Sequence, residues 1–157
     1  MKVVLDTNVF IDAFFGTNEN CKLILRAEHN GEISLVMSSS MNEELLRIIH
    51  KSVDKFDLSP DETVTILKLL SRTLLKTKNI EPKKKFNKCA DKDDNIFFEC
   101  AIEGNANYII SRDKHLHDVK QKHKLVNSKG EQIQVLYPDE FVFELKKIKL
   151  VANFNNR

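Results

Sequence analysis

The 157-residue chain has no tryptophan, only four glycines and three prolines, and three cysteines with no CxxC pair among them. So few glycines and prolines leave little material for long irregular loops, and short connections are expected. An odd set of unpaired cysteines excludes a disulfide framework and fits a reducing compartment. Cys21, Cys89 and Cys100 are read as buried apolar fillers. No apolar run approaches the ~18 residues of a membrane span. Asp6 interrupts the first apolar stretch too early for a signal peptide. GxGxxG and P-loop patterns are absent, which excludes the nucleotide chemistry they support. Charge of one sign is also lacking: 25 basic residues against 23 acidic ones leave a net +2. That sum favours no class of partner, so the distribution of charge must decide. The expectation is a soluble, cytoplasmic protein forming one domain over residues 1–157.

What is present is alternation. Lys2–Leu5, Ile33–Met37, Tyr108–Ile110 and Ile133–Leu136 are short, apolar and rich in β-branched residues, as expected of strands covered on both faces. Helical patterns fall between them, over Val9–Phe15, Cys21–His29 and Met41–His50. Ser59-Pro60-Asp61-Glu62 places a capping Ser, a proline and two acids at the start of a helix running to about Leu75. Another helix spans Asp93–Glu103, with Gly104 as its stop, and a last one starts at Pro138 and turns Phe141, Val142 and Leu145 inward. This order predicts an α/β fold: a central, mostly parallel sheet with helices on both faces.

In such sheets, ligands bind beyond the carboxyl ends of the strands. Asp6 ends the first strand, Ser38 the second, and Asp113 follows the third in YIISRD. Glu43 and Glu44 fall near the start of the helix after the second strand, and DKDDN (Asp91, Asp93, Asp94, Asn95) opens the helix before the third. Each acid taken singly is explained as a helix cap or a first-turn acid worth ~0.3–1 kcal/mol. Together, carboxylates from four segments at one point repel one another and resist desolvation. A divalent cation resolves that conflict. Hard ions such as Mg²⁺ take oxygen ligands without His or Cys, and can polarise a phosphate and activate water.

These blocks resemble the PIN-domain ribonucleases, many of which are toxins of toxin–antitoxin pairs. VVLDTNVFIDAFF resembles the family's opening strand and helix, and SLVMSSSMNEELLRII its second strand and helix. DKDDNIFFECAIEGNANYIISRD resembles its third and fourth acidic motifs, and VLYPDEFV its closing strand and helix. The resemblance implies a three-layer α/β/α sandwich and an Mg²⁺- or Mn²⁺-dependent endoribonuclease. It implies catalytic, metal-binding acids at Asp6, Glu44, Asp94 and Asp113, with Asn8, Ser38 and Asp91 as supporting polar groups. Glu43 is the neighbouring alternative to Glu44, which directly precedes Leu45. Lys92 stands where relatives often carry proline. A small antitoxin and a homodimer are the implied partners beside the RNA substrate.

The stretch from Arg72 to Ala90 carries seven basic residues and one acid, Glu81. It reads either as a solvated segment or, through Lys83, Lys84 and Lys85, as a guide for an RNA backbone. Phe86 is expected to anchor it in the core. His115, His117 and His123 match no zinc spacing and are read as solvated. Two other readings stand beside the nuclease: a haloacid-dehalogenase-like phosphatase, weakened by Asn8 where a general-acid Asp is needed, and a non-catalytic RNA- or protein-binding module.

Overall fold

Five parallel strands form the centre of the molecule, in the order β3-β2-β1-β4-β5. The structure is a computed structural model that describes residues 1–155, with side chains through residue 152. The strands are β1 (Lys2–Leu5), β2 (Ser34–Met37), β3 (Lys78–Asn79), β4 (Tyr108–Ile110) and β5 (Gln134–Leu136). The helices are α1 (Thr7–Phe14), α2 (Glu19–His29), α3 (Ser39–Lys55), α4 (Pro60–Lys76), α5 (Asn95–Gly104), α6 (Lys114–Lys122) and α7 (Pro138–Asn155).

The apolar strand residues behave as sheet-centre residues should. Val3, Val4, Val36, Ile109, Ile110 and Val135 are fully buried, because helices cover both faces of the central strands. Phe10, Ile24, Leu45, Leu70, Phe98 and Phe141 bring the helices onto them in a single buried cluster. The α4 start at Ser59 is a complete capping box with Glu62.

Four differences from the sequence expectation have physical causes. Strand β3 is two residues long and polar, so it carries no apolar signal; it pairs only at the sheet edge, where a lysine discourages further strand addition. Helix α6 reads KHLHDVKQK and buries little more than Leu116, His117 and Val119, too sparse a stripe to stand out. His117 is therefore buried rather than solvated: its Nε2 is 2.9 Å from the Ser111 carbonyl and its ring stacks on Tyr137 at 3.6 Å. Gly104 closes α5 but is not its left-handed cap; Asn105 takes that conformation, at φ 56°. Gly104 is needed instead because a Cβ there would overlap the Val36 side chain on β2.

All five strands run the same way, so their carboxyl ends share one edge. Asp6, Ser38 and Ser111 each follow the last residue of β1, β2 and β4. Parallel pairing sets Leu5 beside Ile110, and so places Asp6 next to Ser111 at the centre of that edge.

Candidate functional site

Asp6 is 7% exposed and occupies the N-cap of α1. Its Oδ2 accepts a 2.6 Å hydrogen bond from Asn8 Nδ2 and a short one from the Ser111 hydroxyl. Its Oδ1 accepts only a long bond, 3.4 Å, from the Asn8 backbone N–H. Burial raises its pKa, against the lowering effect of these bonds, and the negative charge of Asp113 raises it further. Asn8 thus holds the carboxylate as a donor, the opposite of a general acid two residues on.

Ser111 is fully buried and links two acid-bearing turns. Its hydroxyl donates to Asp6 and accepts from the Asp113 backbone N–H at 2.8 Å. His117, stacked on Tyr137, secures the Ser111 carbonyl from below. Asp113 caps α6 by accepting from the His115 N–H at 2.7 Å. Arg112, between the two, pairs with Asp12 of α1 at 2.7 Å rather than with the site.

Asp94 departs from the capping explanation. It stands at the N-cap of α5 yet makes no capping bond, and its buried Oδ2 has no hydrogen-bond partner. Its pKa is raised to about 7, first by desolvation and then by the charges of Asp113, Asp6 and Asp91. Among the described residues no salt bridge reaches Asp6, Asp94 or Asp113. Asp91 shapes the turn by accepting from the Asp93 N–H at 2.9 Å. Asn95 is buried and pins the same turn, accepting from the Cys89 N–H and donating to the Lys92 carbonyl, each at 3.1 Å.

Of the four expected acids, electrostatic coupling joins Asp6, Asp94 and Asp113. Glu44 is exposed and lies across the turn, on the wall of a cavity of about 660 Å³ between α3 and α5 that Glu43 shares. Asp93 and Asn95 line that cavity, so it adjoins the three aspartates without containing them. Ser38 is buried and caps α3 through the Met41 N–H at 3.2 Å. Lys83 and Lys84 are exposed, Lys85 lines the cavity, and Phe86 stacks on Phe98 at 4.6 Å as the anchor of the segment. Sequence reading passed over Ser111, took His117 as solvated, and named Asn95 only as part of the DKDDN helix start. Ser111 had a signal, as a hydroxyl directly after a strand and two residues before an acid; the burial of His117 had none.

Among the described residues, no three His, Cys, Asp or Glu side chains form a ready-made metal-ligand group. Charge coupling reaches further than ligation, so the two observations are compatible: the carboxylates feel one another without meeting at ~2.1 Å from a common point. That arrangement fits Mg²⁺, which takes one or two carboxylates directly and reaches others through retained waters. The donor set is entirely oxygen, and Asp94 Oδ2 is buried without a partner. On both counts the residues present fit a hard divalent cation.

A family model described as PIN domain matches residues 2–115. An uncharacterized protein of Methanocaldococcus jannaschii is 32% identical over 148 residues, covering 94% of this chain and 93% of that protein. Among solved structures, VapBC2 from Rickettsia felis bound to a DNA fragment from their promoter matches 87% of this chain and 98% of that chain, at 15% identity and a TM-score of 0.48.

Proposed function

The chain belongs to the PIN-domain family, and from that premise we propose that it is a divalent-metal-dependent ribonuclease, hydrolysing RNA phosphodiester bonds at the edge where Asp6, Asp94 and Asp113 converge. The observation that carries the reading is the unpartnered, buried Asp94 oxygen, on a carboxylate whose pKa is raised to about 7 by burial and by its acidic neighbours. Proteins seldom retain such a conflict without a ligand that relieves it.

Asp6, Asp94 and Asp113 would hold the ion, with Glu44 as the fourth acid from α3. Bound Mg²⁺ or Mn²⁺ supplies positive charge to a phosphate oxygen and lowers the pKa of water. The chain's own residues do the positioning. Ser111 and Asn8 fix Asp6 in one orientation, and the same Ser111 oxygen fixes the backbone of Asp113. Asp91 and Asn95 hold the turn that carries Asp94. Ser38 starts α3 and so sets the position of Glu44. Lys83, Lys84 and Lys85 attract the RNA backbone. A cytoplasmic role as a toxin, with a small antitoxin covering the acidic edge and a homodimer as the working form, belongs to the same reading and rests on family membership.

Single-stranded RNA is the test substrate, incubated with Mg²⁺ or Mn²⁺ and with a chelator in parallel. Cleavage that requires metal is expected. Cleavage that survives the chelator, or protein inert on every RNA with either ion, overturns the reading.

A further inference from the structure

The cavity between α3 and α5 lies beside the three aspartates, not on them, and its walls differ in kind. Arg47 of α3 and Lys92 of the turn before α5 supply two cations, and neither side chain has a hydrogen-bond or salt-bridge partner among the described residues. Phe86 and Ile96 supply an apolar wall. Glu43, Glu44 and Asp93 supply acceptors, while a third cation, Lys85, is paired with the fourth carboxylate of the wall, Glu99. At about 660 Å³ the cavity falls within the range of small-molecule sites. Unpaired cations, an apolar wall and carboxylate acceptors are the three groups that an unstacked nucleotide engages, through its phosphate, its base face and its base-edge N–H groups.

We propose that this cavity is a nucleotide subsite: it takes one splayed nucleotide of single-stranded RNA, its phosphate held by Arg47 and Lys92 and its base against Phe86 and Ile96, next to the bond to be cleaved. The proposal rests on the ribonuclease reading and deepens it. Asp93 and Asn95 line the cavity and flank Asp94 in the chain, so a strand filling the cavity passes beside the turn that carries Asp94. Duplex RNA cannot place a base there without unpairing, so the subsite selects single strands. Arg47 and Lys92 are positioning residues in this scheme.

The experiment is fluorescence anisotropy of a short labelled single-stranded RNA of mixed sequence, with chelator present so that nothing is cleaved, read across a salt series. Arg47→Ala and Lys92→Ala should fold normally, since neither side chain supports another group. Each should weaken binding by about tenfold, the scale of a charge-assisted contact, and flatten the salt slope, the two together by about 0.7, the value for one phosphate contact on a single strand. Arg47→Lys should recover most of the affinity. The double variant should lose less than the product of the single losses, because both cations meet one phosphate. Lys147→Ala, whose side chain pairs with Glu144 on α7, serves as the surface control. A blunt duplex of the same sequence should bind more weakly and respond to neither substitution.

Single variants that match the wild type in affinity and slope overturn the subsite, as does a duplex that binds equally well and loses as much. Wild-type protein with no affinity for RNA overturns it too. The outcomes separate from those of the ribonuclease reading. Metal-dependent cleavage with unaltered binding in Arg47→Ala removes only the subsite. Arg47-dependent binding without cleavage at any metal removes only the nuclease.

Discussion

Asp6 serves two purposes with two oxygens: Oδ1 caps α1 by accepting from the Asn8 backbone N–H, and Oδ2 is held by Ser111 and the Asn8 side chain. Asn has a single acceptor oxygen, which can still receive Asn8 Nδ2 and the Ser111 hydroxyl at the expense of the weak cap. Its amide would face only the long contact to the Asn8 N–H. Asp6→Asn should therefore fold, with a loss of no more than ~1 kcal/mol by chemical denaturation, while metal-dependent RNA cleavage falls at least ~10²-fold, the scale of a lost electrostatic contact in a transition state. Near-full activity would reduce Asp6 to a cap. Asp94 gives the opposite sign. Its folded pKa of about 7 lies above the unfolded 3.8, so between those values the folded state binds the extra proton and stability falls as pH rises. Asp94→Asn has no charge to desolvate and no capping bond to lose. With chelator present, melting curves should show this variant level with the wild type near pH 4 and more stable near pH 8. A large loss of stability at pH 8 would make Asp94 a structural cap.

At the scale of elements, legibility followed the strength of each burial pattern. Strands β1, β2, β4 and β5 were legible because Val3, Val4, Leu35, Val36, Ile109 and Val135 repeat one chemistry, that of a sheet covered on both faces. Strand β3 was not, since Lys78 and Asn79 are placed by their neighbours on β2 rather than by their own side chains. The same limit hid His117, whose burial depends on Tyr137 and Ser111 folding against it from distant sequence. The acids at the strand ends were legible because parallel topology alone sends Asp6 and Asp113 to one edge. The separation of Glu44 from the three aspartates was not, because it depends on how far α3 stands from α5. α3 and α5 meet at Met41 and Cys100, whose sulfurs are 3.4 Å apart, and α5 meets β2 through Gly104, against Val36. Gly104→Ala should cost about 1–3 kcal/mol by overpacking, less whatever helix propensity returns. Pairing it with Val36→Ala should recover part of the loss in a double-mutant cycle. Additive losses would mean that the two side chains do not meet. The basic segment gives a separate expectation. Changing Lys83, Lys84 and Lys85 together to Ala should weaken RNA binding and flatten its salt dependence. The segment should stay in place, because Lys83 and Lys84 bind Glu103 through their backbone N–H groups and Phe86 binds Glu99 the same way, although Glu99 loses its 3.4 Å ion pair with Lys85. An unchanged salt slope would leave the segment as a solvated loop.

For the whole molecule, the acidic edge sets stability, protonation and ligand binding against one another, and one measurement reads all three. A ligand that binds only the folded protein stabilises it by about 2.7 kcal/mol at a hundredfold excess over its dissociation constant. For a chain of this size that corresponds to a rise in Tm of roughly 5–10 °C. The ion must displace any proton held by the aspartates. Asp94 keeps its proton up to about pH 7, so at pH 5.5 binding competes with that proton and at pH 8 it does not. The rise in Tm on adding Mg²⁺ or Mn²⁺, measured against chelator at each pH, should therefore be small at pH 5.5 and reach its full size by pH 8. Without metal the trend should run the other way, Tm declining over the same interval as the uncompensated charges build up. The two curves should diverge through pH 7, and the divergence should shrink in Asp94→Asn, which holds no exchangeable proton there. Ca²⁺ should stabilise less than Mg²⁺ if the edge is shaped for a small ion that keeps its waters. A metal-induced shift that is the same at pH 5.5 and pH 8 would place the ion away from Asp94. The absence of any shift at pH 8 would remove the metal from this edge altogether.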